Sequence, residues 1–421
     1  MSNNVKTISF YVSKSHPDYK VARAHSFEAR RLYNTLNKLY CERDAKRLNS
    51  KSQIPVHNSL KLTVKDSAET CRKAITKQQN IILPEKISQG TRNQLQETWS
   101  SVIGLRKKDK KAGNPKYKFR FAPVRYNNQA IADRKREQGV IIPSGWKKGF
   151  RLPGFLVRKN VSSALLVPCP DGFVLRVVYE VSSCGVKGNV SNPVFAGIDF
   201  GVDKLATIVT TGGQRPKTVD GKCLKSLNRY FNKESGRLSS LISVSEGVKR
   251  ESLIKQKERL WFRRDKQVNH FLQSASSEVV RFLMSSGVQE VVIGWSDGFK
   301  SGVSIGRRNN QNFVCIPHAR FRDLLVYKCG LVGIKCVIQE ESYTSRASFL
   351  DGDVIPVFNK NVPRRFVFSG VRVSRGVYKS KVSGDFIHAD VNGAWNILRK
   401  CKPSIGWSSG VIVTPENLKI R

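Results

Sequence analysis

The chain has 421 residues, of which 74 are Lys or Arg and 32 are Asp or Glu, so its formal net charge is +42. Like charge of this size destabilises a compact fold unless a polyanion offsets it. This excludes an ordinary enzyme of small metabolites and makes nucleic acid the expected partner. The hydrophobic fraction of 39% is enough to form cores, which excludes a disordered basic tail.

The sequence also indicates a compartment. No apolar run reaches the roughly 18–20 residues of a membrane span, and the N-terminal residues lack the apolar core of a signal peptide. The nine cysteines are scattered and never form a C-x-x-C pair. We therefore expect reduced thiols in a cytoplasmic protein with no membrane partner, and the spacing predicts no structural zinc.

The first half of the chain begins with an alternating strand over 5–12, followed by a helical region from about 17 to 110 that includes a helix starting near Thr91. Short β-type runs bounded by Gly and Pro follow to about residue 183. Between 101 and 160 there are 17 Lys or Arg and 3 Asp or Glu, with aromatic residues interleaved. Basic grooves with stacking rings suit single-stranded or A-form nucleic acid. The candidate contacts here are Lys116, Lys118, Arg120, Arg125 and Tyr126.

A Gly/Asn/Ser/Pro linker over 185–193 predicts a domain boundary, after which the chain alternates strands and helices. Three strands joined by tight turns are followed by a basic helical region over about 225–286. There Arg263 and Arg264 are expected to combine packing with phosphate contacts. A strand, a helix and a strand come next, then an irregular basic segment over 344–383 and a final helix. This order predicts an α/β domain on one central sheet.

Carboxylates on separate elements of this second half are the candidate chemistry. Asp199 lies in an apolar strand between Gly197 and Gly201, where a carboxylate is costly unless it is paired or binds a metal. Asp390 begins the final helix, and Glu340 or Glu341 follows an apolar strand, where adjacent side chains point to opposite faces. By itself, each could be a cap or a solvated residue. Together they predict a centre for two Mg²⁺ or Mn²⁺ ions, with Asp199, Asp390 and one of Glu340 and Glu341 as ligands.

Two motifs resemble a known family. GIDFGVDKLAT resembles the first RuvC motif of the TnpB proteins (the insertion-sequence OrfB family, related to compact type V CRISPR effectors), and ADVNGAWNILRK resembles the third. ESYTSRAS is similar to the family's T-S segment, and the β-type region upstream is similar to its wedge domain. Because that T-S segment ordinarily begins beside the inward-facing acid, the resemblance implies Glu341, not Glu340, as the third metal ligand with Asp199 and Asp390. The resemblance implies an RNase H-like nuclease and a guide RNA made from the transposon end. It also implies cleavage of double-stranded DNA beside a short adjacent motif, by a ribonucleoprotein that we expect to be monomeric.

The resemblance implies a multidomain α+β fold. A β-barrel-like wedge domain would carry an inserted helical recognition domain, and an α/β RNase H-like (RuvC) nuclease domain would carry a basic insert. The expected boundaries are 1–14 with 111–185 for the wedge, 15–110 for recognition, 194–343 with 382–402 for the nuclease, 344–381 for the insert, and 403–421 for a C-terminal tail.

The chain departs from the family pattern in two places. The strand that usually ends in the second catalytic Glu has Gly294 and Trp295 there, which indicates relocation of the Glu to the neighbouring strand, with Asp297 a weaker substitute. The cysteines of the family's zinc ribbon are missing. The segment 359–381 has 7 Lys or Arg and no acid and resembles the family's target-nucleic-acid-binding insert. Its candidate contacts are Arg364, Arg365, Arg372, Arg375 and Lys379.

Three other functions stay open at this point. A nuclease-inactive, RNA-guided DNA-binding repressor would explain the displaced Glu, although it has no use for acids beside a phosphate backbone. A strand-transfer transposase would need an end-recognition module, for which the sequence gives no evidence. A basic RNA-scaffold protein would leave the carboxylates unexplained.

Overall fold

The computed structural model describes residues 5–49, 80–109, 112–131, 139–156, 160–181, 192–296, 316–358, 366–406 and 414–420. The chain divides into two compact units, Met1–Val181 and Ser182–Arg421.

The N-terminal unit is built on a four-stranded antiparallel sheet. Its order is β1-β6-β5-β2, where the strands are β1 (Val5–Ser13), β2 (Val124–Asn127), β5 (Val161–Cys169) and β6 (Gly172–Glu180). A separate short pair joins β3 (Val140–Ile141) to β4 (Phe150–Arg151). The expected barrel-like closure is wrong for the described residues, because β1 and β2 remain the two edges of this sheet.

In the part of the N-terminal unit that the structure describes, two long helices accompany this sheet, α1 (Tyr19–Asn49) and α2 (Glu85–Lys108). The helix expected to begin near Thr91 begins at Glu85 after Pro84, whose fixed φ suits a helix start. Thr91 therefore lies within α2, buried, and its hydroxyl donates to the Ile87 carbonyl 3.3 Å away.

The C-terminal unit contains a six-stranded mixed sheet of order β11-β10-β7-β8-β9-β15. The strands are β7 (Val194–Asp199), β8 (Lys204–Thr210), β9 (Lys217–Asp220), β10 (Val288–Gly294), β11 (Lys335–Gln339) and β15 (Glu416–Asn417). The three strands expected after the linker are confirmed as β7, β8 and β9, which pair antiparallel in sequence order. β10 pairs parallel with both β7 and β11, so these strands end at one edge.

The described residues of this unit form four helices: α3 (Lys222–Ser243), α4 (Gly247–Ser285), α5 (His318–Leu331) and α6 (Ala389–Cys401). α6 packs directly on β7, since a Cβ on Gly197 would lie 2.4 Å from the Ala394 carbonyl oxygen. Only glycine allows this approach.

Two segments of the C-terminal unit differ from expectation. The region expected to be irregular contains the hairpin of β12 (Gly370–Ser374) and β13 (Val377–Ser380), which β14 (Phe386–His388) extends into a three-stranded sheet. Gly376, with φ of 88°, makes the hairpin turn possible. The expected C-terminal tail is not free either: β15 pairs with β9, and Glu416 accepts from Lys217 at 2.7 Å.

Candidate active site

Asp199 lies at the carboxyl end of β7, paired with Thr207 of β8. Its carboxylate reaches the start of α6, because a Cβ on Gly393 would lie 2.8 Å from Asp199 Oδ2. The turn that follows is held from below by His318, a fully buried residue whose Nε2 donates to the Gly201 carbonyl 2.9 Å away. No catalytic role is expected for His318 from the sequence, and the structure shows it supporting the backbone beside Asp199.

Asp390 is the second residue of α6, one turn before Gly393. His388 caps this helix, since its Nδ1 accepts from the Asp390 backbone N–H at 3.3 Å. A carboxylate in the first turn also interacts favourably with the helix dipole. Because α6 lies against β7, the position of Asp390 brings its carboxylate to the side chain of Asp199.

Glu341 follows β11, and its carboxylate fills a space left by a missing side chain. A Cβ on Gly294, the last residue of the neighbouring strand β10, would lie 3.1 Å from Glu341 Oε2 and 2.4 Å from Ile397 Cδ1. Ser296 donates a hydrogen bond to the Glu341 carboxylate. The end of β10, where the family pattern has its Glu, thus presents the carboxylate of Glu341 instead.

Glu340 points elsewhere, although it is adjacent in sequence. Its carboxylate accepts from Lys400 Nζ at 2.6 Å and from the Ser342 backbone N–H at 2.6 Å. Burial alone would raise the pKa of Glu340, but the contacts with Lys400 and Ser342 hold it below its ordinary value. The structure therefore brings Glu341 to Asp199 and keeps Glu340 in a separate ion pair.

The grouped carboxylates repel one another electrostatically. Burial, then the nearby Glu341 and Asp390, raise the pKa of Asp199 well above its ordinary value, while Arg372 and the Phe200 backbone N–H oppose that rise. Burial, with a smaller contribution from Glu340, raises the pKa of Glu341 to about 7 against the opposing effects of Ser296 and Lys400. Acids with raised pKa values at the end of a sheet are typical of functional sites.

Two asparagines of α6 attach the loop after Glu341 to this helix. The side-chain amide of Asn392 donates to the Ala347 carbonyl at 2.8 Å, while its oxygen accepts from the Phe349 N–H at 2.9 Å. Asn396, one turn later, donates to the carbonyls of Thr344 (2.9 Å) and Ala347 (2.7 Å). Sequence reasoning quoted both residues within a motif but gave them no role. Their spacing of four residues on an otherwise apolar helix face was the available signal.

The hairpin of β12 and β13 brings cations to the acidic group. Arg372 Nη2 lies 3.9 Å from Asp390 Oδ1. Arg375, at the hairpin turn, pairs with Asp203, which also pairs with Lys225 of α3. Lys379 lies over the Phe386 ring, 5.3 Å from its centroid. Arg364, Arg365 and Asp297 lie outside the described residues.

One predicted nucleic-acid contact is corrected by the structure. Tyr126 is fully buried, and its hydroxyl interacts with His25 Nδ1 (3.0 Å) and accepts from Trp146 Nε1 (3.2 Å). It cannot stack on a base, because its strand β2 turns it into the core of the N-terminal unit. The neighbouring Arg125 points outward and pairs with Glu97 at 2.7 Å.

The remaining basic candidates divide into exposed and engaged side chains. Lys116, Arg120 and Arg263 are exposed. Lys118 lies over the Tyr33 ring at 5.0 Å, and Arg264 donates to Asn228 Oδ1 at 2.6 Å, which ties α4 to α3. Arg264 therefore contributes to packing, as expected for one part of its role.

Within the described residues, no three His, Cys, Asp or Glu side chains are arranged as a group that could hold a metal ion. Carboxylates are nevertheless the ligands that an oxygen-preferring divalent cation takes, and Glu341 and Asp390 both act electrostatically on Asp199, with Arg372 as the nearby cation.

Two protein families match parts of the C-terminal unit. Residues 177–296 match the OrfB_IS605 family, described as "Probable transposase", and residues 318–397 match the TNB domain of Cas12f1-like proteins. The chain is therefore similar to the OrfB/TnpB proteins over one stretch and to the Cas12f1-like proteins over another. The resemblance expected from the sequence motifs is confirmed.

Solved structures with similar folds include a Cas12f1–sgRNA–target DNA complex, whose matching chain is 15% identical with a TM-score of 0.53. The match covers 90% of this chain and 82% of that one. A mini-RNA-guided endonuclease, CRISPR-Cas_phi3, gives a TM-score of 0.39 at 10% identity, covering 98% of this chain and 94% of the other. No curated protein matches the chain. Among the described helices, none is long and apolar enough to cross a membrane.

Proposed function

We propose that this protein is an RNA-guided DNA endonuclease whose RuvC-type centre consists of Asp199, Glu341 and Asp390. The observation that carries the proposal is the meeting of these three acids at the ends of β7 and β11 and the start of α6. A protein that only binds nucleic acid gains nothing from buried acids beside phosphates, because they repel the backbone. The OrfB_IS605 and Cas12f1-like TNB matches support the same function.

The three carboxylates would hold Mg²⁺ or Mn²⁺, two ions in the family mechanism. When bound, such ions activate a water and stabilise the leaving 3′ oxygen of a phosphodiester. Burial raises the pKa of both Asp199 and Glu341, and for Asp199 the neighbouring acids raise it further; a bound cation would favour the charged form of both carboxylates. Ser296 and the Asn396-anchored loop orient Glu341, and Arg372 is placed to contact a phosphate near Asp390.

The proposed partners are a guide RNA from the transposon end and double-stranded target DNA beside a short adjacent motif. The net charge of +42 supports them, since a nucleic acid would offset it. By analogy with the Cas12f1 complex, the N-terminal unit would supply wedge and recognition surfaces and the C-terminal unit the nuclease with its basic insert. The working form would be a monomeric ribonucleoprotein.

The deciding experiment compares cleavage with binding on one target. The protein is purified with its co-purifying RNA and tested on a plasmid matching that RNA, with Mg²⁺, Mn²⁺ or EDTA. Asp199→Ala should abolish cleavage and leave the gel shift of the target nearly unchanged, because binding energy comes from many Lys and Arg contacts. Asp323→Ala, which removes an exposed acid on α5 outside the centre, is the matched control and should still cut. Absence of RNA, or cleavage that persists in Asp199→Ala, would contradict the proposal.

Two other functions have a specific observation in their favour. The lack of a ready three-residue metal arrangement in the described residues favours an RNA-guided repressor. The description of the OrfB_IS605 family favours a strand-transfer transposase. A wild-type protein that binds the matched plasmid but never cuts it with either metal would support the repressor. Joining of transposon ends without RNA would support the transposase.

A further inference from the structure

The segment 115–122 lies against α1 and is held there by two asparagines. Asn34 forms a two-way contact with Lys118: its amide donates to the Lys118 carbonyl at 2.9 Å and its oxygen accepts from the Lys118 N–H at 2.8 Å. Asn37, one turn later and fully buried, donates to the Pro115 carbonyl at 2.8 Å and accepts from Trp99 Nε1 at 2.9 Å. These two side chains fix the backbone of this segment on the helix.

Two aromatic side chains of this anchored segment are exposed to solvent. Phe119 is 87% exposed and Tyr117 is 55% exposed. Phe121, two residues beyond Phe119, instead packs into the core and contacts the Phe173 ring at 5.6 Å. The side on which the aromatic rings lie changes at Arg120, whose φ of 20° is rare for a residue other than glycine. The chain bends there, so Phe121 packs, half-buried, against the core while Phe119 stays exposed.

The charged residues next to these rings in the sequence are all basic. Lys116, Lys118 and Arg120 alternate with Tyr117 and Phe119, and the sequence has no acid between residues 112 and 124. A large ring held rigidly in water is unfavourable by itself, and a bend at a non-glycine residue adds strain. Both unfavourable features, the exposed ring and the strained bend, are expected at a site where a bound partner covers the ring of Phe119. A partner that offers anions at close spacing together with flat apolar faces is a nucleic acid with unpaired bases.

We propose that Phe119, with Tyr117 beside it, forms a stacking platform for unpaired bases of a bound RNA, while Lys116 and Arg120 contact the flanking phosphates. The choice of RNA rests on the proposed function, in which the guide RNA supplies unpaired bases and the DNA target arrives as a duplex with its bases stacked. The asparagine clamps pre-organise the platform, so little entropy is lost when bases stack.

The test measures binding by the full-length protein in EDTA. The probes are labelled oligo(rU) of about 12 nucleotides, a blunt RNA duplex of similar length, and oligo(dT). Phe119→Ala should weaken oligo(rU) binding about 5- to 100-fold, which corresponds to the loss of one stacked base. It should leave the duplex affinity and the salt dependence unchanged, because no phosphate contact is removed. Phe119→Trp should restore affinity, and its added fluorescence should fall when oligo(rU) binds.

Two variants serve as controls. Ile82→Ala removes a side chain 85% exposed in the same unit and should change nothing. Lys116→Ala should weaken all probes and reduce the salt slope by about 1. The proposal is overturned if Phe119→Ala binds oligo(rU) like wild type, or if it loses the same factor on the duplex. Equal wild-type affinities for oligo(dT) and oligo(rU), with equal losses in Phe119→Ala, would overturn the assignment to RNA. No cleavage enters this assay, so failure of the nuclease proposal would be seen separately.

Discussion

Substituting Gly294 by alanine should damage stability and cleavage for separate, measurable reasons. The new Cβ would lie 2.4 Å from Ile397 Cδ1, 3.0 Å from Ile397 Cγ1 and 3.1 Å from Glu341 Oε2. Gly294 is buried, so the neighbours must move, and overpacking of this kind costs about 1–3 kcal/mol of unfolding free energy. Displacing the Glu341 carboxylate should also lower cleavage about 10- to 100-fold, as for other groups that orient a metal ligand.

The two effects can be separated by making room beside Gly294. Ile397→Val removes the Cδ1 atom that causes the closest clash. The double variant Gly294→Ala/Ile397→Val should regain much of the unfolding free energy in urea but still cleave slowly, because Glu341 remains displaced. Recovery of cleavage together with stability would mean that Glu341 is not positioned by this space. Normal cleavage in a destabilised single variant would refute the reasoning in the same way.

Three further outcomes are expected. Glu341→Gln should abolish cleavage. Glu340→Gln should lower stability, because it breaks the ion pair of Glu340 with Lys400, and should affect cleavage only mildly. If Glu340→Gln reduced cleavage more than Glu341→Gln, the assignment of the two acids to their faces would be wrong. Burial lowers the pKa of His25 to about 4, so the unfolded chain takes up a proton at a higher pH than the folded protein does. The free energy of unfolding should therefore fall by about 2–3 kcal/mol between pH 7 and pH 4.5. Urea unfolding of the His25→Gln variant should lack this pH dependence, whereas the control His270→Gln, which changes an exposed histidine, should retain it. Asp199→Asn should raise the free energy of unfolding in EDTA at pH 8 by about 1–2 kcal/mol, because it removes a buried charge that its neighbours repel. This gain should vanish near pH 3, where the Asp199 carboxyl is protonated in both the folded and the unfolded protein. A gain that is the same at both pH values would contradict the electrostatic origin.

The sequence was most informative where a residue conflicts with its surroundings. Asp199 in an apolar strand and Glu341 after another strand are costly placements, and the structure shows both carboxylates meeting. The choice between Glu340 and Glu341 was a weak argument from register. It depends on Gly294, whose missing side chain leaves the space that Glu341 fills. That relation joins two strands and is invisible in either sequence segment alone.

Other features could not be read from local pattern because tertiary contacts decide them. Tyr126 lies in a strongly basic stretch that favours nucleic-acid binding, yet its strand turns it inward to His25 and Trp146. Composition gives the charge of a stretch but not the face of each side chain. The β12–β13 hairpin and the pairing of β15 with β9 were missed for a related reason, since short strands carry too few residues for a periodicity.

The acids around Asp199 and Arg372 of the β12–β13 hairpin lie close together and partly neutralise each other. Asp199, Glu341 and Asp390 repel one another, and Arg372 beside Asp390 offsets part of that repulsion in the isolated protein. Arg375, at the turn of the same hairpin, pairs instead with Asp203. In the proposed nuclease, a bound cation would take over the compensation that Arg372 gives. Arg372 would then be available to phosphate oxygens, which an arginine can contact through two N–H groups at once. Under that proposal, the same side chain would stabilise the protein without nucleic acid and contribute to binding with it.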